Sequence, residues 1–259
     1  MIFDAHLHLP CYDDCVTFED KKRRLLHDLK AAGVCGGIVI ADSEFESAIG
    51  TTEDCVALFE DTENVFVMAG ISPLINYERR LTELEPLLAA RNVVAVKLFP
   101  GHEDFYMDDP RLDAVFALCE RYDVPLATHT GWANPHYNRP HYFAQIAQAR
   151  PNLRLVICHL CWPDIDQCFE AMAAYPNIYY DISSIAHEKK QRKQTVKSLR
   201  RIAEHCADRI ILGSDYGMCS IAAHIELVRA LKLSDTDTQL ILADNALRLY
   251  KISLQGDTP

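Results

Sequence analysis

Residues 3–10 read FDAHLHLP, with His6 and His8 on either side of one leucine. On a β-strand, side chains alternate between faces. His6 and His8 are therefore expected to point one way, and Phe3, Ala5 and Leu7 the other. Two imidazoles side by side are a common device for holding a metal ion. The stretch is also short and apolar, and seven runs like it follow at intervals of about thirty residues, the size of one strand plus one helix. They are GGIVIAD (36–42), VFVMAGIS (65–72), VVAVKLF (93–99), VPLATHT (124–130), LRLVICH (153–159), IYYDISS (178–184) and RIILGSD (209–215). Each is rich in Val, Ile or Leu, as strands covered on both faces should be.

Helical patterns fill the gaps. Thr17 is placed to cap FEDKKRRLLHDLKAA, which Gly33 closes. Pro110 and Pro163 are each expected at the first position of a helix. KKQRKQTVKSLRRIAEHCA reads as a helix with a solvated basic face, and LILADNALRLYKI as the terminal helix. Eight βα units predict an α/β fold, a (β/α)8 TIM barrel, in a single domain over residues 1–259. The alternative, a doubly wound open sheet, calls for a glycine-rich phosphate loop after strand one, and none stands there.

Barrels of this kind carry their chemistry at the C-terminal strand ends. Those ends supply His6 and His8 from strand one, Lys97 from strand four, His129 from strand five, His159 from strand six and Asp215 from strand eight. Val93, Ala95 and Lys97 share one parity, as do Gly213 and Asp215, so all are expected to face inward. Imidazoles with a carboxylate suit a divalent metal, Zn²⁺ above all. Asp215 is expected to bind the ion and accept a proton from water, and His159 to polarise an electrophile or stabilise negative charge. Within GWANPHYNRPHYF (131–143), Trp132 and Arg139 are candidate substrate contacts, Arg139 for a carboxylate. His102, Trp162 and His187 are expected to be structural or exposed. His27, His205 and His224 fall in helical segments and are expected to stand apart from the chemistry.

Apolar residues make up 49% of the 259 and charged residues 24%, enough for a substantial core. The net charge of −11 disfavours a nucleic-acid surface. No apolar run is long enough to span a bilayer, and MIFDAHLHLP lacks the character of a signal peptide. The ten cysteines are accordingly expected to be reduced thiols in the cytoplasm. Cys158 and Cys161 form one C-x-x-C without the second that a zinc ribbon needs. The expected partner is a small-molecule substrate, and pairing into a homo-oligomer stays open.

The segments DAHLH, VKLFPG, PLATHTG, LVICHL, ILGSDYG and DNALRLY, in that order and spanning nearly the whole chain, resemble the amidohydrolase superfamily. The resemblance is to the amidohydrolase-related branch of metal-dependent hydrolases and decarboxylases. It implies a distorted barrel with one divalent ion held by His6, His8, His129 and Asp215, and His159 outside the ligand set in contact with substrate. In some binuclear members a strand-four lysine is carboxylated and bridges two ions, which makes Lys97 ambiguous between a bridge, a substrate contact and a structural role. VKLFPG resembles the branch's K-L-H-P stretch with Phe99 in place of the histidine, and that branch generally holds one ion. The implied activity is hydrolysis of an amide or lactone C–N or C–O bond. The alternative is decarboxylation of a small unsaturated or aromatic acid. A TatD-type nuclease is a minor alternative, since such enzymes usually carry a strand-four glutamate where Lys97 stands. A barrel kept only for binding would be expected to have lost part of the constellation.

Overall fold

The computed structural model describes residues 1–44, 46–132, 134–187 and 189–255. Eight parallel strands form one sheet in chain order: β1 (Phe3–Leu7), β2 (Gly36–Ile40), β3 (Val65–Gly70), β4 (Ala95–Leu98), β5 (Leu126–Thr128), β6 (Leu155–Cys158), β7 (Ile178–Asp181) and β8 (Ile210–Ile211). The segment after β8 then meets β1. Ala5 N–H donates to the Leu212 carbonyl, Asp215 N–H to that of His6 and His8 N–H to that of Tyr216, each at 2.9 Å. These bonds close the barrel.

The helices are α1 (Phe18–Ala31), α2 (Thr52–Phe59), α3 (Tyr77–Ala89), α4 (Asp113–Tyr122), α5 (Pro140–Ala149), α6 (Ile165–Met172), α7 (Arg192–Cys206), α8 (Ile221–Ala230), α9 (Asp235–Gln239) and α10 (Asn245–Tyr250). Thr17 caps α1 as expected, its side chain accepting from Asp20 N–H while Asp20 returns the bond. Pro110 opens a single 3₁₀ turn that leads into α4. Pro163 differs from expectation: α6 starts at Ile165, and the Trp162–Pro163 peptide is cis, so the proline belongs to the turn before the helix. On α7, Lys193, Lys197 and Arg200 are exposed, while Leu199, Ile202 and Cys206 are buried.

Two apolar layers follow from strand alternation. Val39, Val67, Val96, Leu126, Leu155 and Ile157 face the helices. Ile38, Ile40, Met68, Ala95, Ala127, Val156 and Ile211 fill the interior, and Ala246, Leu249 and Tyr250 of α10 pack with them. Parity at β4 holds only within the strand: Ala95 packs inside, but Val93, just before it, packs with the outer layer.

At β1 the simple alternation fails, and the failure positions the site. Phe3 and Ala5 belong to the interior cluster, but Leu7 packs in the outer layer. The pairing with β2 shifts register between Asp4 and Leu7, a bulge that reverses the side-chain parity. Phe3, Ala5 and Leu7 therefore do not share a face. Buried Asp4 holds the bulge, its Oδ1 accepting from His6 N–H at 3.1 Å and from Ser214 N–H at 2.9 Å. Gly37 of β2 completes it, because a Cβ there would stand 2.4 Å from Leu7 Cδ1.

Candidate active site

His6 and His8 lie side by side at the rim, their ring centroids 5.3 Å apart. Nδ1 of His6 donates to Asp181 Oδ2 at 2.6 Å, and Nδ1 of His8 donates to the Ile40 carbonyl at 3.2 Å. These acceptors fix both tautomers and leave Nε2 as the lone-pair nitrogen. The two Nε2 atoms lie 3.5 and 3.3 Å from Asp215 Oδ1. Burial, followed by the charge of Lys97, lowers the His6 pKa, which keeps that ring neutral. A neutral imidazole lone pair facing a carboxylate oxygen is repulsive without a cation between them. The donor atoms of His6, His8 and Asp215 all lie within 4.8 Å of one another, so the set fits a divalent ion.

Asp215 reaches this position through a left-handed backbone, φ 62°. Burial raises its pKa, but the neighbouring His8, His6 and His159 rings outweigh that and hold it well below the usual carboxylate range. Ser184 Oγ donates to its second oxygen. Gly213, two residues earlier, is forced by close approach: a Cβ would sit 2.3 Å from Asp181 Oδ1 and 2.6 Å from His6 Cβ.

His129 is brought to the same rim, but it falls outside the 4.8 Å trio. Its Nε2 is buried with no hydrogen-bond partner, and its ring lies 4.9 Å from that of His159. Burial, then the neighbouring His159, His102 and Lys97 charges, push its pKa well down. A buried ring nitrogen without a partner at this rim is available to a cation.

His159 enters by a route the sequence does not show. Val156 and Cys158 face inward, so simple alternation sends His159 outward. Its φ of 64° turns the ring back, to 5.3 Å from His6. Nδ1 lies 3.1 Å from the Ser183 carbonyl, and burial lowers the pKa to about 3. Lys97 is buried, and its Nζ donates to Cys158 Sγ at 2.9 Å.

Three further groups belong to the site. Asp181, at the end of β7, is buried and orients His6. Burial raises its pKa, but the His6 ring bonded to it, with His159 and Lys97 nearby, outweighs that and takes it to about 2. It ends a strand, the position that singled out the other site residues. His102, expected to be structural or exposed, is exposed and also packs on His129, with ring centroids 4.1 Å apart. His224, expected to stand apart, is buried in α8 with Nδ1 2.9 Å from the Ser220 carbonyl, while its Nε2 accepts from Ala186 N–H at 3.3 Å. It thereby anchors the loop that carries Ser183 and Ser184.

The outer loop after β5 contributes Trp132, 44% exposed and stacked on Trp162 at 5.8 Å. Arg139 is exposed and forms no ion pair among the described residues. Asn134 and Asn138 donate to the carbonyls of Gly101 and Pro100, tying this loop to the one after β4. His187 is exposed. All ten cysteines are free thiols. No helix among the described residues is long and apolar enough to cross a membrane.

Comparison with known proteins agrees with this architecture. The family model described as Amidohydrolase matches residues 3–252. No curated protein matches the sequence. Among solved structures, an uncharacterized TIM-barrel protein from Bordetella bronchiseptica superposes with a TM-score of 0.78 at 20% identity, covering 96% of this chain and 98% of that one. A probable 2-pyrone-4,6-dicarboxylic acid hydrolase from Acinetobacter baumannii gives 0.71 at 13%, covering 97% and 99%. A 2,6-dihydroxybenzoate decarboxylase from Rhizobium gives 0.65 at 17%, also covering 97% and 99%. At these identities the structural likeness carries the fold, and the family match carries membership: the chain is an enzyme of the amidohydrolase family.

Proposed function

We propose that this chain is a metal-dependent hydrolase that holds one divalent ion, Zn²⁺ by donor type, and cleaves an amide or lactone bond of a small molecule. The observation that carries the reading is the all-acceptor set formed by Nε2 of His6, Nε2 of His8 and Oδ1 of Asp215. His129 completes the proposed ligand set, its orphaned Nε2 being the available donor. When bound, a divalent ion supplies Lewis acidity, making water a nucleophile near neutral pH and drawing charge from a carbonyl.

The chain's own groups then have distinct tasks. Asp215 takes the proton of the attacking water and passes it to the leaving nitrogen or oxygen. Ser184 holds its second oxygen and so fixes the carboxylate plane. Nδ1 of His159 lies 3.1 Å from the Ser183 carbonyl and 3.0 Å from Ser183 Oγ, and these contacts hold the ring toward the site. We assign His159 to contact with substrate, where it polarises the electrophile or stabilises developing negative charge. Trp132 and Arg139 line the outer loop as substrate contacts.

One observation favours a second reading. Arg139 is a rim guanidinium without an ion pair among the described residues, which is what a carboxylate clamp in a decarboxylase requires. The test is a panel of small amides, lactones and unsaturated or aromatic acids. The proposal expects hydrolysis that vanishes with chelator and in Asp215→Asn. Release of CO₂ without hydrolysis would establish the decarboxylase instead.

A further inference from the structure

Among the rim histidines, His129 is held differently from the rest. Nδ1 of His6 bonds Asp181, Nδ1 of His8 bonds the Ile40 carbonyl, and Nδ1 of His159 lies against Ser183. A histidine that ligates a metal is ordinarily fixed through its second nitrogen in this way. The described hydrogen bonds of His129 are all made by its backbone: the N–H donates to the Leu98 carbonyl at 3.0 Å, and the carbonyl accepts from Thr128 Oγ1 at 3.3 Å. What packs against its ring is two other rings. His102 lies 4.1 Å away, inclined at 61°, and His159 lies 4.9 Å away, inclined at 63°.

His102 is exposed, yet the turn that carries it is tied down on both sides. Gly101 N–H donates to the Glu103 carbonyl and Glu103 N–H to the Phe99 carbonyl, each at 2.9 Å. The Glu103 carboxylate accepts from Ser43 Oγ and Ser72 Oγ, which stand in the loops after β2 and β3. Asn134 and Asn138, in the loop after β5, hold the Gly101 and Pro100 carbonyls. Ser43, Ser72 and Asn138 are buried. One exposed imidazole is thus braced from three neighbouring loops, the kind of support that keeps a site residue in place.

We propose that His102 is a positioning residue of the metal centre: its ring packs against His129 and fixes by contact the imidazole orientation that hydrogen bonds fix in His6 and His8. The inference rests on the proposed one-ion centre with His129 among its ligands. Without the cover, the His129 ring gains freedom that ligation must then remove, so the ion is held less tightly. Packing needs a flat ring at position 102 and no nitrogen, whereas a metal ligand or a substrate contact there would need the nitrogen.

The probe is Co²⁺, its affinity measured by competition with a chromophoric chelator and its uptake by elemental mass spectrometry, with circular dichroism to confirm folding. Wild-type protein is expected to hold one cobalt per chain. His102→Ala is expected to bind it roughly tenfold more weakly, the low end of the cost of losing an outer partner. His102→Phe keeps the ring and is expected to stay near the wild type. In a His129→Ala background, His102→Ala should add nothing, because its effect passes through His129. Should the alanine variant not fold, His102→Phe and His102→Gln are compared instead, with the loss expected only in the glutamine variant. Unchanged affinity in His102→Ala, an equal loss in His102→Phe, or a full further loss in the His129→Ala background overturns the inference while leaving the one-ion centre standing. No cobalt in the wild type overturns the one-ion reading, and the inference with it.

Discussion

Asp181 Oδ2 accepts from Nδ1 of His6 at 2.6 Å across 175 positions of sequence. The bond fixes which nitrogen of His6 faces Asp215 and makes that nitrogen more basic. Replacing Asp181 with Asn keeps the shape but removes the charge. Metal affinity should fall by roughly 10- to 100-fold, the usual cost of losing such an outer partner. Competition against a chromophoric chelator measures it, and unchanged affinity would show that Asp181 does not tune the site.

Asp4 makes a separate prediction about the fold. It accepts the backbone N–H groups of His6 and Ser214, both buried. Asp4→Ala leaves two donors unpaired, at roughly 1–3 kcal/mol each. Asp4→Asn keeps an acceptor oxygen and should stay near the wild-type midpoint in urea at pH 7. Equal destabilisation by both variants would mean that the charge, rather than the clamp, matters.

Gly213→Ala tests the close approach under the metal centre. The added Cβ meets Asp181 Oδ1 and His6 Cβ. Overpacking of this kind costs roughly 1–3 kcal/mol. The expected result is a folded protein with weakened metal binding, read by denaturant melts beside metal titration. Native affinity in this variant would contradict the placement of His6.

The legible part of the fold was the barrel itself, because buried parallel strands write themselves as apolar runs. The rim residues His6, His8, Lys97, His129, His159 and Asp215 were legible for a related reason, since each stands at a strand end. What stayed hidden depends on backbone turns and distant partners. The β1 bulge needs Asp4, Gly37 and Ser214 together, so alternation misassigned Leu7. His159 and Asp215 both turn inward through positive φ, which no periodicity encodes. Asp181 was visible in IYYDISS but had no sequence neighbour to mark it as a partner of His6. The Lys97–Cys158 contact likewise joins residues 61 positions apart.

The metal-free protein should lose stability as pH falls from 7 to 5. His159 has its pKa lowered from 6.5 to about 3 by burial, and burial also lowers those of His6, His129 and His224. Below 6.5 the unfolded chain binds protons that these folded rings refuse, so their contribution is present above 6.5 and is lost toward the folded values. Asp4 acts with the opposite sign. Burial raises its pKa from 3.8 to about 7, so the folded state binds that proton first, and its contribution is full below 3.8 and lost as pH rises through about 7. Four rings outweigh one carboxyl. Urea melts of chelator-treated protein at the two pH values check this, and a higher midpoint at pH 5 would refute it.

The most direct test of the metal centre is the zinc content of protein purified without chelator, measured by elemental mass spectrometry beside folded His8→Ala. The account predicts about one zinc per chain in the wild type and a near-complete loss in the variant, since His8 supplies one of the Nε2 donors facing Asp215. A wild type without bound metal, after reconstitution with excess zinc, would contradict it, and so would equal zinc in both proteins.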